Sequence, residues 1–352
     1  MLKFQQNAIY RIKNRSNNKV ATISSKLNNM FVDLELDNIL SQQWIFFPID
    51  GEKVIITNRA TGKVAAINIC SKHLSNIKLS PFIPGSSSQQ WSIETLCENY
   101  YQIRNSSNGK VAAISTSAKS PNNLFVCNSL STTLNQQWTL LVAKSFKLPT
   151  APKIEKLDPI PQYTSATDIL PEATTQRLVA WTLIPCIMVN DNNWSVETKL
   201  TTSTYYIFEK KQCWRRIENL SLAPNEKAHS SYTYGTTTKV QTSLQNTLGF
   251  TIGRDAGIRF KEGKIGITQD LKMKFHQELK IGISTSTEDM TSTTQTHNQE
   301  NPFLTTLAYT KYILATQFVL KRISNNSNDR NVIVNSWEYT DGNNIYTTSY
   351  LK

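Results

Sequence analysis

NSSNGKVAAI (residues 105–114), followed by NQQW (residues 135–138), is the last of three copies of one pattern. The earlier copies are NRSNNKVATI (14–23) with SQQW (41–44), and NRATGKVAAI (58–67) with SQQW (88–91). Trp44, Trp91 and Trp138 are spaced 47 residues apart, and Asn29, Asn76 and Asn123 keep the same period. The first copy is three residues shorter between its Lys19 and Asn29 than the others between Lys63 and Asn76 or Lys110 and Asn123. Loops tolerate that kind of deletion. A fixed period of this length marks a structural repeat. Each copy reads as short β segments between Asn/Gly turns, in the first copy at 10–13, 20–23 and 30–34. One copy cannot bury its apolar side alone, and three are too few for a propeller of about four to eight blades. Residues 1–148 are therefore expected to close as a three-fold β-trefoil.

Three QxW triplets at one period resemble the ricin-B-type lectin trefoil. In that family the Trp fills the shared core and the Gln caps buried backbone, which is the reading for Trp44, Trp91 and Trp138. The resemblance also implies a galactose pocket made of an Asp, an aromatic platform and an Asn-Gln pair. Carboxylate and amides hydrogen-bond sugar hydroxyls, and a ring face covers the apolar C–H patch. Here the Asp positions hold Thr22, Ala66 and Ala113, so the carboxylate is missing throughout. The aromatic positions hold Phe31, Lys78 and Phe125, and the amide pairs are Ser41-Gln42, Ser88-Gln89 and Asn135-Gln136. Only the third copy keeps aromatic and amides. The candidate glycan pocket is thus Asn123, Phe125, Asn135 and Gln136, with Phe31 and Gln42 of the first copy next, and ordinary galactose specificity is the lesser expectation.

The chain has 352 residues, which suggests two domains at about 150 residues each. Charged residues make up 18% and mean hydropathy is −0.37. Uncharged Ser, Thr, Asn and Gln supply the polarity, which favours β structure over helical bundles. Of the net charge of +12, residues 1–149 carry +9 (16 basic, 7 acidic) and the remainder +3 (22 basic, 19 acidic). A basic excess attracts nucleic acid or anionic membrane, but no Lys/Arg run exceeds two residues, so no nucleic-acid partner is expected. Cys70, Cys97, Cys127, Cys186 and Cys213 are odd in number, with no CxxC pair and no His at ligand spacing. Neither a disulfide framework nor a metal site nor any cofactor is expected. The N-terminus lacks an apolar signal region, so synthesis in the cytoplasm without a signal peptide is expected. The longest apolar stretch, 178–189, is broken by Thr182 and Pro185 and is short of the roughly 20 residues of a membrane helix.

Five prolines between 149 and 171 mark an extended linker, because proline breaks helices and central strands alike. Residues 172–352 read as an elongated, mostly antiparallel β domain with strands at 178–183, 187–189, 205–208, 307–320 and 332–339. The last is expected to turn at Asp341-Gly342-Asn343-Asn344 into a hairpin with 345–350. Eight of the fourteen residues 230–243 and nine of the thirteen residues 284–296 are Ser or Thr. Between these tracts apolar residues alternate: Leu248, Phe250, Ile252, Ile258 and Phe260, then Ile265, Ile267, Leu271, Met273 and Phe275, continuing to Ile283. Their parity flips near Gly263, as across a turn. Each arm reaches the roughly 9–11 residues of a membrane β-strand, although a half-buried sheet gives the same pattern.

Ser/Thr-rich strands around an amphipathic hairpin resemble the aerolysin-type pore-forming toxins. With LIPCIMVNDN (183–192) and YYIFEKKQCW (205–214), the second half is similar to the insecticidal crystal proteins related to the mosquito binary toxin, in which a trefoil precedes an aerolysin-like domain. The resemblance implies a bacterial toxin, stored as a parasporal inclusion, that binds a gut-cell surface glycan or glycoprotein through its trefoil. It implies a homo-oligomer that inserts a β-barrel into the host membrane, with a companion toxin protein as a further partner. The alternatives are a lectin without pore formation and a hydrolase with a carbohydrate-binding module. No enzyme is expected: His276 in FHQEL lacks the second His of HExxH, and no GxSxG, P-loop or dinucleotide fingerprint is present. A carboxylate pair for glycoside hydrolysis needs closeness in space only, so sequence leaves that alternative open.

Overall fold

The computed structural model describes residues 4–24, 28–49, 52–67, 75–97, 99–118, 121–165, 167–192, 194–260, 275–323 and 332–351. The first repeat forms β1 (Ala8–Asn14), β2 (Val20–Ile23), β3 (Met30–Asp33) and β4 (Trp44–Pro48). The second forms β5 (Lys53–Asn58), β6 (Val64–Ile67), β7 (Ser75–Ser80) and β8 (Gln90–Cys97). The third forms β9 (Tyr100–Asn105), β10 (Val111–Ile114), β11 (Leu124–Cys127) and β12 (Trp138–Ser145). Strands β1, β4, β5, β8, β9 and β12 pair in that antiparallel circuit and close a six-stranded barrel. Hairpins β2–β3, β6–β7 and β10–β11 cap it. This is the trefoil expected from the period.

The repeat residues explain the closure. Each Trp indole is at most 1% exposed and donates Nε1–H to the carbonyl of Ala21, Ala65 or Ala112 at 2.9–3.0 Å, so the buried polar atom is satisfied. Asn14, Asn58 and Asn105 are fully buried. Each stitches its turn to an adjoining QxW strand, as where Asn58 Nδ2 donates to Ser41 O at 2.9 Å and Asn105 Nδ2 to Ser88 O at 3.0 Å.

After the extended 149–171 segment come β13 (Arg177–Pro185), α1 (Val196–Thr202), β14 (Tyr205–Leu222), β15 (Lys227–Tyr234), α2 (Thr238–Leu248), β16 (Phe250–Ile252), β17 (Ile258–Phe260), β18 (Thr293–Glu300), β19 (Leu307–Arg322) and β20 (Val332–Leu351). One antiparallel sheet runs β13-β14-β19-β20, and β14 alone has 18 residues, about 60 Å of chain. Strands β15 and β18 form a separate two-stranded ribbon. The fold is all-β, with α-helix among the described residues confined to α1, α2 and the short segment 275–279.

Three expectations are corrected. Residues 187–189 are not a strand, because the chain turns through a 3-10 helix at Cys186–Met188. Residues 332–351 are not a hairpin but one strand, because β20 pairs with β19 along its whole length. Asp341 pairs with Leu314 and Ile345 with Ile313, so residues 342–344 bulge out of the ladder. The segment between the Ser/Thr tracts also differs. Leu248 ends α2, which Gly249 terminates at φ 78°, and the chain reverses after Ile252, at residues 253–257, so the expected first arm is itself a helix end and a short hairpin. Gly263, Ile265, Ile267, Leu271 and Met273 lie outside the described residues. Leu248, Phe250, Ile252, Ile258 and Phe275 are buried against the main sheet, with Phe208 of β14 5.9 Å from Phe250.

The two halves share one apolar core. Tyr10, Trp44 and Phe46 point into the barrel, while Ile9, Ile45 and Phe47 of the same strands point out and pack with Ile184, Val189, Leu200 and Tyr205. The Phe47 ring meets Tyr205 edge-on at 5.5 Å.

Candidate functional site

Each residue standing at a lectin Asp position faces the aromatic position across its hairpin: Thr22 opposite Phe31, Ala66 opposite Lys78, Ala113 opposite Phe125. The hairpins then meet around the pseudo-three-fold axis. Phe31 bridges Asn123, Asn29 bridges Lys78, and Phe125 pairs with Asn76. The structure thus places Asn123 beside Phe31 of the first repeat and gives Phe125 Asn76 as its backbone partner. Phe31, Phe125 and Asn123 are half-buried and present surface at this end of the barrel.

The amide residues are differently employed. Gln136 is 3% exposed; its Oε1 accepts from Leu130 N–H at 2.7 Å and its Nε2 donates to Asn128 O at 3.0 Å. Gln42 binds Leu36 N–H at 2.9 Å and Leu34 O at 2.7 Å in the same way, as Gln89 does with Ile83 and Pro81. Each glutamine therefore clamps the loop six to eight residues before it. Asn135 Nδ2 donates to Ile114 O at 3.1 Å, and its Oδ1 is buried without a partner. Ala113 has no exposed surface. In the first repeat Thr22 Oγ1 donates to Ser41 Oγ at 3.3 Å. The outward chemistry of this end is accordingly two half-exposed phenyl rings and Asn123, with the glutamines held in the scaffold.

The clamped loops expose aliphatic side chains at one register: Leu36, Ile83 and Leu130, to which the first loop adds Leu34, Ile39 and Leu40 and the third Leu134. Sequence reading missed these, although the 47-residue spacing of 36, 83 and 130 was available as a signal. The second loop faces the other domain, where Phe82 and Pro84 help line a cavity of about 440 Å³ with Ile187, Met188, Trp194 and Leu248. Lys199 on α1 lies beside it, 3% exposed, its Nζ donating to Val189 O at 2.6 Å, and burial lowers its pKa.

Among the described residues no cluster of His, Cys, Asp and Glu is arranged to hold a metal ion, and no helix is long and apolar enough to cross a membrane. The candidate membrane residues Phe250, Ile252 and Ile258 sit in the core of the second half, while Phe260 is partly buried and stacks on Phe275 at 6.5 Å.

The model of the ricin-type β-trefoil lectin domain-like family matches residues 87–152. The insecticidal crystal protein Cry35Ab1 of Bacillus thuringiensis is 31% identical over 306 residues, which cover 84% of this chain and 78% of that protein. The crystal structure of Cry35Ab1 aligns with a TM-score of 0.86 at 30% identity, covering 99% of this chain and 91% of the other. The binary larvicide subunit BinA of Lysinibacillus sphaericus is 30% identical over 175 residues, half of this chain and 46% of BinA. BinB of the same organism is 27% identical over 208 residues, 58% of this chain and 44% of BinB.

Proposed function

Because this chain belongs to the family of insecticidal crystal proteins that includes Cry35Ab1 and is related to the binary larvicide subunits, we propose that it acts as a pore-forming insecticidal toxin. The trefoil docks on a glycan or glycoprotein of a gut-cell surface, protomers assemble there, and each contributes a β-hairpin from residues 246–283 to a membrane barrel. The observation that carries the reading is the position of that segment. Its residues Leu248, Phe250, Ile252, Ile258 and Phe275 are folded away beneath the main sheet, and the β15–β18 ribbon, rich in Ser and Thr, frames it. Strands of that composition suit a water-filled lumen, while the alternating segment suits lipid on one face. In the trefoil, Phe125 and Phe31 are the rings best placed to cover the apolar face of a sugar. A companion protein fits the naming of the relatives as binary subunits, and storage as an inclusion fits the naming of a relative as a crystal protein. The reading assigns no catalytic role to any residue.

Dye release from insect midgut membrane vesicles, with and without prior protease treatment, tests it. Release is expected, with binding weakened by the double change Phe31→Ala and Phe125→Ala. Binding without release in every condition would leave the lectin reading in its place. Unchanged binding of the double variant would move recognition to another surface of the trefoil.

A further inference from the structure

The ribbon that frames the candidate membrane segment is held to the main sheet in an unusual way. Strand β15 alternates exposed and half-buried residues, β18 is exposed over 293–296 and alternates only after that, and Ala228 alone of them joins an apolar cluster, with Leu222, Leu307 and Tyr309. At one end Asn301 Nδ2 donates to Leu222 O, Ala223 O and Thr305 O at 2.8–2.9 Å. At the other, Gly235 and Thr340 exchange two backbone hydrogen bonds at 3.0–3.1 Å. The middle rests on charge. Glu218 of β14, with a side chain 4% exposed, lies 3.2 Å from Lys311 Nζ of β19 and 2.9 Å from His297 Nε2 of β18, and it accepts a hydrogen bond from Ser230 of β15. Lys311 Nζ is also 2.5 Å from His297 Nε2 and lies 5.5 Å and 5.4 Å from the ring centroids of Tyr232 and Tyr309. Burial pulls the Lys311 ammonium down, but Tyr309 and Glu218 outweigh this and leave its pKa raised.

We propose that Glu218, Lys311, His297 and Ser230 form a polar latch that holds the Ser/Thr-rich ribbon onto the main sheet, so that loss of the Glu218 carboxylate frees the ribbon while the rest of the fold persists. The physical basis is the asymmetry of buried charge. A carboxylate shared by an ammonium and an imidazole is stable as a group, whereas deleting one partner strands the others in a poorly solvated site. An apolar interface would instead lose contact only in proportion to the atoms removed. Because the ribbon has few apolar contacts, local opening there is the least costly motion around the framed segment. The significance of that opening for a membrane step rests on the toxin reading above, but the latch itself does not.

Hydrogen exchange of the intact protein, read by mass spectrometry, tests the latch. In Glu218→Gln, amides of 227–236 and 293–301 are expected to exchange at least ten-fold faster, with the barrel strands β4, β8 and β12 unchanged. Lys311→Met is expected to do the same. The double variant should open less than the two single effects multiplied, because no lone charge remains. Unchanged exchange in the ribbon overturns the proposal, and so does acceleration spread evenly over β14, β19 and the trefoil. Strict multiplication of the single effects also overturns it, since the two residues would then act independently. Vesicle leakage measured on the same samples reports on the toxin reading separately: even a protein that never permeabilises membranes shows by its exchange rates whether the latch holds the ribbon.

Discussion

Gln136→Ala separates scaffold from contact surface in the third repeat. The carboxamide takes the Leu130 N–H at 2.7 Å and gives to Asn128 O at 3.0 Å while remaining 3% exposed. Truncation leaves a backbone donor and acceptor of one loop without partners. Each lost bond is worth about 1 kcal/mol net, and stranding a buried partner adds about 1–3 kcal/mol. A total of about 2–4 kcal/mol follows, because the loop relaxes partly into solvent. For a unit of this size each kcal/mol lowers Tm by about 2–4 °C, so the trefoil transition should drop by roughly 5–15 °C. Phe125→Ala, at a half-exposed position on the hairpin, should cost about 1 kcal/mol or less. Calorimetry of the full chain measures both. A Tm shift for Gln136→Ala within about 2 °C of wild type, or a larger one for Phe125→Ala, refutes the division of roles.

Trp91→Phe keeps a ring in the core but removes the Nε1–H that serves Ala65 O at 2.9 Å, and urea unfolding should report a loss of about 2–4 kcal/mol. Trypsin should nick the native chain first after Lys153 or Lys156, which are exposed in the extended segment, and mass spectrometry of the products should find the trefoil intact; early cuts inside a repeat would contradict its independence. Burial, with a smaller push from Lys280, lowers the Lys210 pKa from 10.5 to about 8. Between those values the unfolded chain holds a proton that the folded one has released, so stability should rise with pH across about 8 to 10.5, by at most about 3 kcal/mol. Urea unfolding at both ends of the window should show that rise in the wild type and its loss in Lys210→Met.

The trefoil was legible because its signal is redundant: three tryptophans, three asparagines and one period agree, and each residue serves the same contact in every copy. The candidate sugar site was legible only in part. Pairing Phe31 with Thr22 and Phe125 with Ala113 follows from strand spacing, but the contact of Asn123 with Phe31 joins residues far apart in sequence around the three-fold axis. Local pattern says nothing about that closure. The hairpin expected at residues 341–344 failed for a similar reason. Asp-Gly-Asn-Asn favours a turn locally, yet the 16-residue β19 offers a ladder on both sides of it, and continuous pairing accommodates the extra residues as a bulge.

Composition and repeat alone determined that the chain is β-rich, that a three-fold barrel comes first, that a proline-rich stretch follows it, and that an alternating segment lies between polar tracts. These follow from local geometry: residue spacing, turn chemistry and the period of two along a strand. Only the tertiary structure decided which faces meet. Residues 44–47, WIFF, are apolar at every position, whereas the equivalent WSIE and WTLL strands are not, because β4 is covered on both sides, by the barrel core and by Tyr205 and its neighbours. Likewise Phe250, Ile252 and Ile258 alternate in sequence as lipid-facing strands do, but in this fold both faces of their short hairpin are occupied. Burial depends on what packs from elsewhere in the chain, and a pattern of apolar residues states only that something must.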